Sequence, residues 1–228
     1  MTTPHQLLEK NTHELNLNEL AYIHLSDSNS HFTLKKNLVR STLSFAIQNV
    51  KQALNLEYSK QLMPYMTLCA ILDQIGICYD RNDKPLPRSG NGLKRALIQF
   101  GEVDEDDDLI NIIYSLRNGL LHNVSLTSFD KKNEKFYKFR YNSQITSIYK
   151  DAEETWDGSY ETLDTNPEKF TTHINVKLFS DLVFSCVDKA NSLNHTNNLV
   201  LRLEGGLIQL FFDYILSIYK PDRLSLKK

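Results

Sequence analysis

Apolar residues recur every three or four positions over most of this chain, a spacing typical of amphipathic helices. In the segment 32–56 they include Leu34, Leu38, Ile47 and Val50, and Ser30 precedes the segment as a candidate N-cap. Similar spacing predicts further helices at about 58–79, 93–100, 109–124, 175–193 and 198–219. Asn175 is the predicted N-cap of the helix at 175–193.

In one stretch of the chain, basic and aromatic residues alternate instead. Residues 135–141 are Lys, Phe, Tyr, Lys, Phe, Arg and Tyr, which predicts a β-strand, with 145–150 as its candidate partner. Only 8 glycines and 6 prolines are present, so long helices are favoured over a many-stranded fold. We therefore expect an all-α, up-and-down helical bundle with a small β-hairpin or flap after the helix at 109–124. The predicted organisation is one domain over 1–228, with a helical core at about 32–124 and 175–220 and a β insertion at about 133–172.

The charge, the hydropathy and the cysteine spacing of the chain limit the kinds of protein it can be. The 228 residues carry a formal net charge of −2, so an RNA contact would need a local basic patch and not a broad basic surface. The first nine residues lack the apolar core of a signal peptide, and 207–219 is too short to span a membrane, so we expect a cytoplasmic protein. The three cysteines show no zinc-ligand spacing, and no metal or cofactor is predicted.

The helix predicted at 109–124 has the most informative polar face. At about 100° per residue, its apolar residues fall on one arc, and Asn111, Ser115, Asn118 and His122 form a stripe on the opposite arc. Tyr114 and Arg117 flank this stripe. The acidic run 104–108 precedes the helix, and we interpret it as a helix start, because negative charge there complements the helix dipole.

The residue types on this face suit RNA cleavage without a metal. Histidine is the side chain whose ordinary pKa lies nearest neutrality, so His122 can exchange a proton with a ribose hydroxyl. Arginine directs two donors at phosphate oxygens, so Arg117 can stabilise the charge that develops there. Asn118 is the expected orienting hydrogen-bond group.

The segment 117–122, Arg-Asn-Gly-Leu-Leu-His, resembles the motif of the HEPN superfamily: an arginine, four to six residues, then a histidine, often with a polar residue directly after the arginine. The resemblance implies a homodimer in which two motif helices face each other and form one composite site. It also implies a metal-independent endoribonuclease in toxin–antitoxin, phage-defence or RNA-processing systems, and a possible antitoxin or other regulatory partner. The alternative is a catalytically silent HEPN-like module that binds a partner protein or a nucleotide.

A second candidate patch follows the motif. Basic residues there can hold phosphates, and the interleaved aromatic rings can stack on bases. Its members are Lys131, Lys132, Lys135, Lys138, Arg140, Tyr137 and Tyr141. The other interpretation is an ordinary strand with a lysine-rich solvent face, which also protects a sheet edge. The remaining histidines, among them His24, have no partner at a recognisable spacing, so surface or capping roles are expected.

Overall fold

The computed structural model describes residues 4–219, and these form a mixed α/β fold of helices and three β-sheets. The predicted all-α helical bundle is therefore wrong. The two ends of the predicted domain, 1–3 and 220–228, lie outside the described residues. No helix among the residues that the structure describes combines the length and the apolarity that a membrane span needs.

The helices are α1 Pro4–Leu7, α2 Leu17–His24, α3 Thr42–Ala53, α4 Met63–Cys78, α5 Gly92–Gln99, α6 Asp108–Asn123, α7 Tyr160–Thr165, α8 Val176–His195 and α9 Gly206–Tyr214. The strands are β1 Phe32–Thr33, β2 Asn37–Ser41, β3 Tyr79–Arg81, β4 Thr127–Asp130, β5 Lys135–Tyr141, β6 Tyr149–Lys150, β7 Thr171–Ile174, β8 Leu199–Leu201 and β9 Ile215–Tyr219. The helix predictions for α4, α5, α6 and α8 are confirmed with small shifts at their ends.

The segment predicted to begin a helix at residue 32 begins with two strands. β2 lies between β1 and β9 and pairs antiparallel with both, and its register with β9 places Asn37 opposite Tyr219. α3 begins only at Thr42, and its N-cap is Ser41, whose side chain accepts from the Ser44 amide, not Ser30. The helical spacing of Leu34 and Leu38 is overridden because a distant strand supplies backbone partners.

The helix predicted at 198–219 is also wrong, because three elements occupy that range. β8 pairs with β3, α9 begins at Gly206 with a positive φ of 61°, and β9 completes the first sheet. Strand formation at both ends of this range comes from long-range pairing, for which the local spacing of apolar residues contains no signal.

The third sheet has the order β4-β5-β7-β6, so it is larger than the predicted hairpin or flap. The strand predicted at 135–141 is confirmed as β5. β5 pairs antiparallel with β4 and parallel with β7. The prediction that 145–150 pairs with this strand is wrong, because β6 pairs with β7. The connection between β5 and β7 packs on Phe136 through a small separate cluster of Trp156, Leu163 and Phe170.

The main core brings α4 against α5 with very little space between their backbones. A Cβ atom at Gly76 would overlap the carbonyl of Gly92, so glycine is required at this crossing. Cys69 and Cys78 are fully buried on α4. α6 packs against α4 and α5 on one side and against β4 and β5 on another, so the motif helix is held on two sides.

His24 does not have the surface or capping role expected of it, because it is fully buried. Its Nδ1 lies 2.8 Å from the Tyr79 hydroxyl and its Nε2 lies 2.9 Å from the Gln74 amide nitrogen. Burial among these neutral groups lowers the pKa of His24 to about 3. The imidazole is therefore neutral at physiological pH.

Candidate active site

The motif lies in the second half of α6. Asp107 caps the start of this helix by accepting from the Leu109 amide at 2.8 Å, which confirms that the acidic run begins a helix. The helix ends at Asn123, and Val124 adopts a left-handed conformation with φ 52°. His122 is therefore in the last turn and is exposed to solvent.

Arg117 is oriented by a carboxylate on another helix. Its Nε donates to Asp73 Oδ2 at 3.0 Å, and Asp73 Oδ1 accepts from the Leu93 amide at 3.0 Å. Asp73 on α4 thus holds both the arginine and the first turn of α5. Sequence reasoning missed Asp73, whose only local signal is that it is a single carboxylate in an otherwise apolar helix.

The structure brings the three predicted catalytic residues together. Arg117 Nη1 donates to Asn118 Oδ1 at 3.2 Å and lies 3.2 Å from His122 Nε2. Arginine can only donate, so in this contact His122 Nε2 is the acceptor. The Arg117 guanidinium therefore reaches from the side of the polar stripe to His122 at its exposed end.

The other residues of the predicted polar face of α6, which are Asn111, Tyr114 and Ser115, do not share one exposed surface. Asn111 Oδ1 accepts from Lys94 Nζ at 2.9 Å, and the Tyr114 ring centroid lies 4.5 Å from the same ammonium. Ser115, in contrast, is 1% exposed, and its hydroxyl has no hydrogen-bond partner among the described residues. The polar stripe predicted on α6 is therefore interrupted at Ser115, which is buried because other elements cover α6 on two sides.

A cleft of about 660 Å³ opens beside the three residues. Arg117, Asn118 and His122 line it from α6, and Lys131 and Lys132 line it from the turn between β4 and β5. Both lysines are exposed, and neither forms an ion pair with any residue in the described range 4–219. The cleft therefore joins a histidine, an arginine and two unpaired ammonium groups.

The remaining basic residues of the predicted patch are engaged elsewhere. Lys135 pairs with Asp151 at 3.0 Å, Lys138 donates to Thr171 at 2.7 Å, and Arg140 pairs with Glu168. These contacts agree with the interpretation of β5 as an ordinary strand whose basic residues are satisfied within the sheet.

The two aromatic residues predicted to stack on bases pack inside the protein instead. Tyr137 is buried and stacks on Phe139, and Tyr141 stacks on Tyr65 with ring centroids 4.7 Å apart. Of the seven residues in the predicted patch, only Lys131 and Lys132 line the cleft beside His122.

Gly119, inside the motif, sets the distance between α6 and the lysine-bearing turn. A Cβ atom there would lie 2.7 Å from the Ser125 carbonyl and 2.9 Å from the Thr127 carbonyl. Real Cβ atoms do not approach backbone oxygens that closely. Glycine at this position therefore lets β4 lie directly against the motif helix.

Gly119→Ala is expected to destabilise the protein by roughly 1–3 kcal/mol, the usual cost of overpacking. Alanine favours a helix by about 1 kcal/mol over glycine, but the clash with two carbonyls outweighs this gain. Urea unfolding measures the difference. Gly90→Ala is the matched control, because a Cβ there meets nothing within 4 Å. Equal stability of the two variants would contradict the close approach of α6 and β4.

Comparison with known proteins identified no relative of this chain. No protein-family model, no curated protein and no solved structure matches the chain. The similarity to the HEPN superfamily therefore rests on residues 117–122. No group of three or more His, Cys, Asp and Glu side chains in the described part of the chain is placed to hold a metal ion. The absence of a metal and a cofactor from the reaction stays a prediction.

Proposed function

We propose that this protein is a metal-independent endoribonuclease of HEPN type. The observation that supports it is the 3.2 Å contact between Arg117 Nη1 and His122 Nε2, beside a cleft whose other side carries Lys131 and Lys132. A proton acceptor, a guanidinium and unpaired ammonium groups are the components that cleavage of a phosphodiester by its own 2′-hydroxyl needs.

The reaction begins when an RNA phosphate enters the cleft and takes the Arg117 Nη1 donor that faces His122. This exchange releases the lone pair of His122 Nε2, which accepts the proton of the adjacent 2′-hydroxyl. The 2′-oxygen then bonds to phosphorus, and the bond from phosphorus to the 5′-oxygen breaks. The 5′-oxygen takes a proton from water as it leaves, and His122 gives up the proton it accepted to the solvent, to which it is exposed. The products are a 2′,3′-cyclic phosphate and a 5′-hydroxyl. Asp73 and Asn118 hold the guanidinium in position throughout.

The same proposal includes a homodimer, a cellular location, a biological role and a regulatory partner. A second copy would meet the first at the end of α6, where Val124, Leu126 and Phe129 are exposed next to His122. Such a homodimer would place two motifs across a two-fold axis. The cytoplasmic location, the role in toxin–antitoxin, phage-defence or RNA-processing systems, and an antitoxin partner are also part of the proposal.

The test is to incubate the purified protein with RNA in the presence of EDTA and to identify the product ends. We expect fragments with 2′,3′-cyclic phosphate and 5′-hydroxyl ends, because the attacking group is the neighbouring 2′-oxygen. Products with 3′-hydroxyl and 5′-phosphate ends would contradict the mechanism. RNA that is bound but left intact would favour the catalytically silent binding module.

A further inference from the structure

A second cleft of about 570 Å³ adjoins the first. It lies among α5, α6 and the turn between β4 and β5, and Tyr114, Asp130 and Lys132 line both clefts. A strand bound in the first cleft can therefore continue past these three residues into the second. Neither the motif nor its family resemblance predicts this second space.

Lys94 contributes a cation that has no carboxylate partner among the described residues. Its Nζ donates to Asn111 Oδ1 at 2.9 Å and lies 4.5 Å from the Tyr114 ring centroid, and both partners are neutral. Burial lowers the pKa of Lys94, the charge of Lys132 lowers it further, and the charge of Asp130 raises it. An ammonium that is partly desolvated and not ion-paired within residues 4–219 favours an anionic ligand.

The Asp130 carboxylate does not neutralise this site through direct pairing. Asp130 accepts from the backbone amide of Lys132 at 3.0 Å and from Asn133 Nδ2 at 2.7 Å, so it is engaged in forming the turn. The turn therefore fixes the Lys132 backbone in place. The ammonium of Lys132 forms no ion pair in the part of the chain that the structure describes.

The far end of the second cleft is acidic, in contrast to the end that contains Lys94 and Lys132. Arg88 there is bound by Glu105 at 2.9 Å and by Asp106 at 2.8 Å, so two carboxylates surround one guanidinium. A phosphate is repelled from this end and attracted to the end formed by Lys94 and Lys132, which is the end that adjoins Arg117 and His122.

We propose that Lys94 and Lys132 bind a phosphate of the RNA that neighbours the scissile one. This subsite rests on the proposed function and extends it, because it implies a substrate with at least one further nucleotide beside the cleaved bond. An unpaired strand can bend so that successive nucleotides enter the two adjoining clefts, whereas a duplex holds its bases paired and stacked. The substrate class is therefore single-stranded RNA, such as a loop or an unpaired end.

The experiment measures binding of a labelled single-stranded oligoribonucleotide across a series of salt concentrations, with His122→Ala as the background that prevents cleavage. Lys94→Gln and Lys132→Gln should each weaken binding and each lower the slope of log affinity against log salt, and the double variant should lower it by about 0.7, the value for one phosphate contact on a single strand. Lys94→Arg should retain the slope. With His122 present, Lys94→Gln should raise KM more than it lowers kcat.

The matched control is Lys177→Gln, which removes an exposed lysine on α8 that pairs with Asp181. We expect this variant to keep the affinity and the slope of the background protein. Lys132→Gln alters an exposed side chain on a different element from Lys94, so it tests the subsite even if Lys94→Gln fails to fold.

The outcomes separate the two proposals. If the wild-type protein neither binds nor cleaves RNA, the proposed function fails and the subsite fails with it. If the wild type cleaves RNA but Lys94→Gln and Lys132→Gln keep its affinity and salt slope, only the subsite is overturned. An equal loss in the Lys177→Gln control would also overturn it, because the effect would then come from overall charge.

Discussion

His122→Ala is expected to lower RNA cleavage by about 100- to 10,000-fold, the usual contribution of a positioned acid or base. Because His122 is exposed and its one side-chain hydrogen bond within residues 4–219 is to Arg117, the free energy of unfolding should change by no more than about 0.5 kcal/mol. Activity should thus be lost from a protein that remains folded. Single-turnover cleavage and urea unfolding measure the two quantities.

Arg117 needs a different substitution, because alanine would leave the Asp73 carboxylate without its cation. The Asp73 side chain is only 16% exposed, so Arg117→Ala should lose stability as well as activity. Arg117→Lys keeps the charge but cannot direct two donors at a phosphate, and we expect it to lose most of the activity.

The control for the histidine experiment is His31→Ala, which removes another exposed imidazole that does not line the cleft. It should retain the activity of the wild type. If His122→Ala kept more than about a tenth of the wild-type rate, His122 could not be the proton acceptor, since general base catalysis contributes far more than this.

Lowering the pH from 6.5 to 4.5 should reduce the free energy of unfolding by about 2 kcal/mol through His24 alone. The pKa of His24 is about 3 in the folded protein, below the value of about 6.5 for an unfolded chain. Between these values the unfolded state binds the proton and the folded state does not, so acid favours unfolding. The contribution is fully present above about pH 6.5 and is lost progressively as the pH falls towards 3.

The neighbours of His24 explain why it resists protonation. Tyr79 and Gln74 contact its ring nitrogens and Tyr214 packs on its ring, and all three are neutral. A proton on Nε2 would face the Gln74 amide nitrogen, which is itself a donor. The cost of charging this imidazole is therefore not offset by a contacting carboxylate.

Urea unfolding at a series of pH values tests this result. His24→Gln should be less stable than the wild type at pH 7 but should show a flatter pH dependence above pH 4.5. His13→Gln, at an exposed histidine, should keep the wild-type slope. His173, whose pKa burial also lowers, contributes in the same direction but is more exposed. A wild-type stability that stayed constant from pH 6.5 to 4.5 would contradict the prediction.

The parts of the structure that could be predicted from the sequence are those governed by local spacing. α6 and β5 follow directly from the apolar periods of 3.6 and 2, and Arg117, Asn118 and His122 meet because one helix carries all three. Asp73 could not be found this way, because its contact with Arg117 joins residues 44 positions apart. Long-range pairing likewise places β2 against β9, against a helical local pattern.

Residue exposure was predicted less well, because it depends on what covers each element. Ser115 follows the polar stripe on a helical wheel, yet packing on two sides of α6 buries it. Tyr137 belongs to an aromatic and basic strand, yet its face of β5 joins the main core. The wheel describes one helix in isolation, and only the tertiary contacts decide which polar side chains reach solvent.

The position of β2 between β1 and β9 also determines when the first sheet can form. The two paired segments β2 and β9 lie at opposite ends of the described chain, so nearly all of it must leave the ribosome before β2 gains its second partner. Until then one edge of β2 has unpaired backbone groups, which can recruit strands of other nascent chains. The first sheet can therefore be completed only after residues 215–219 have been synthesised.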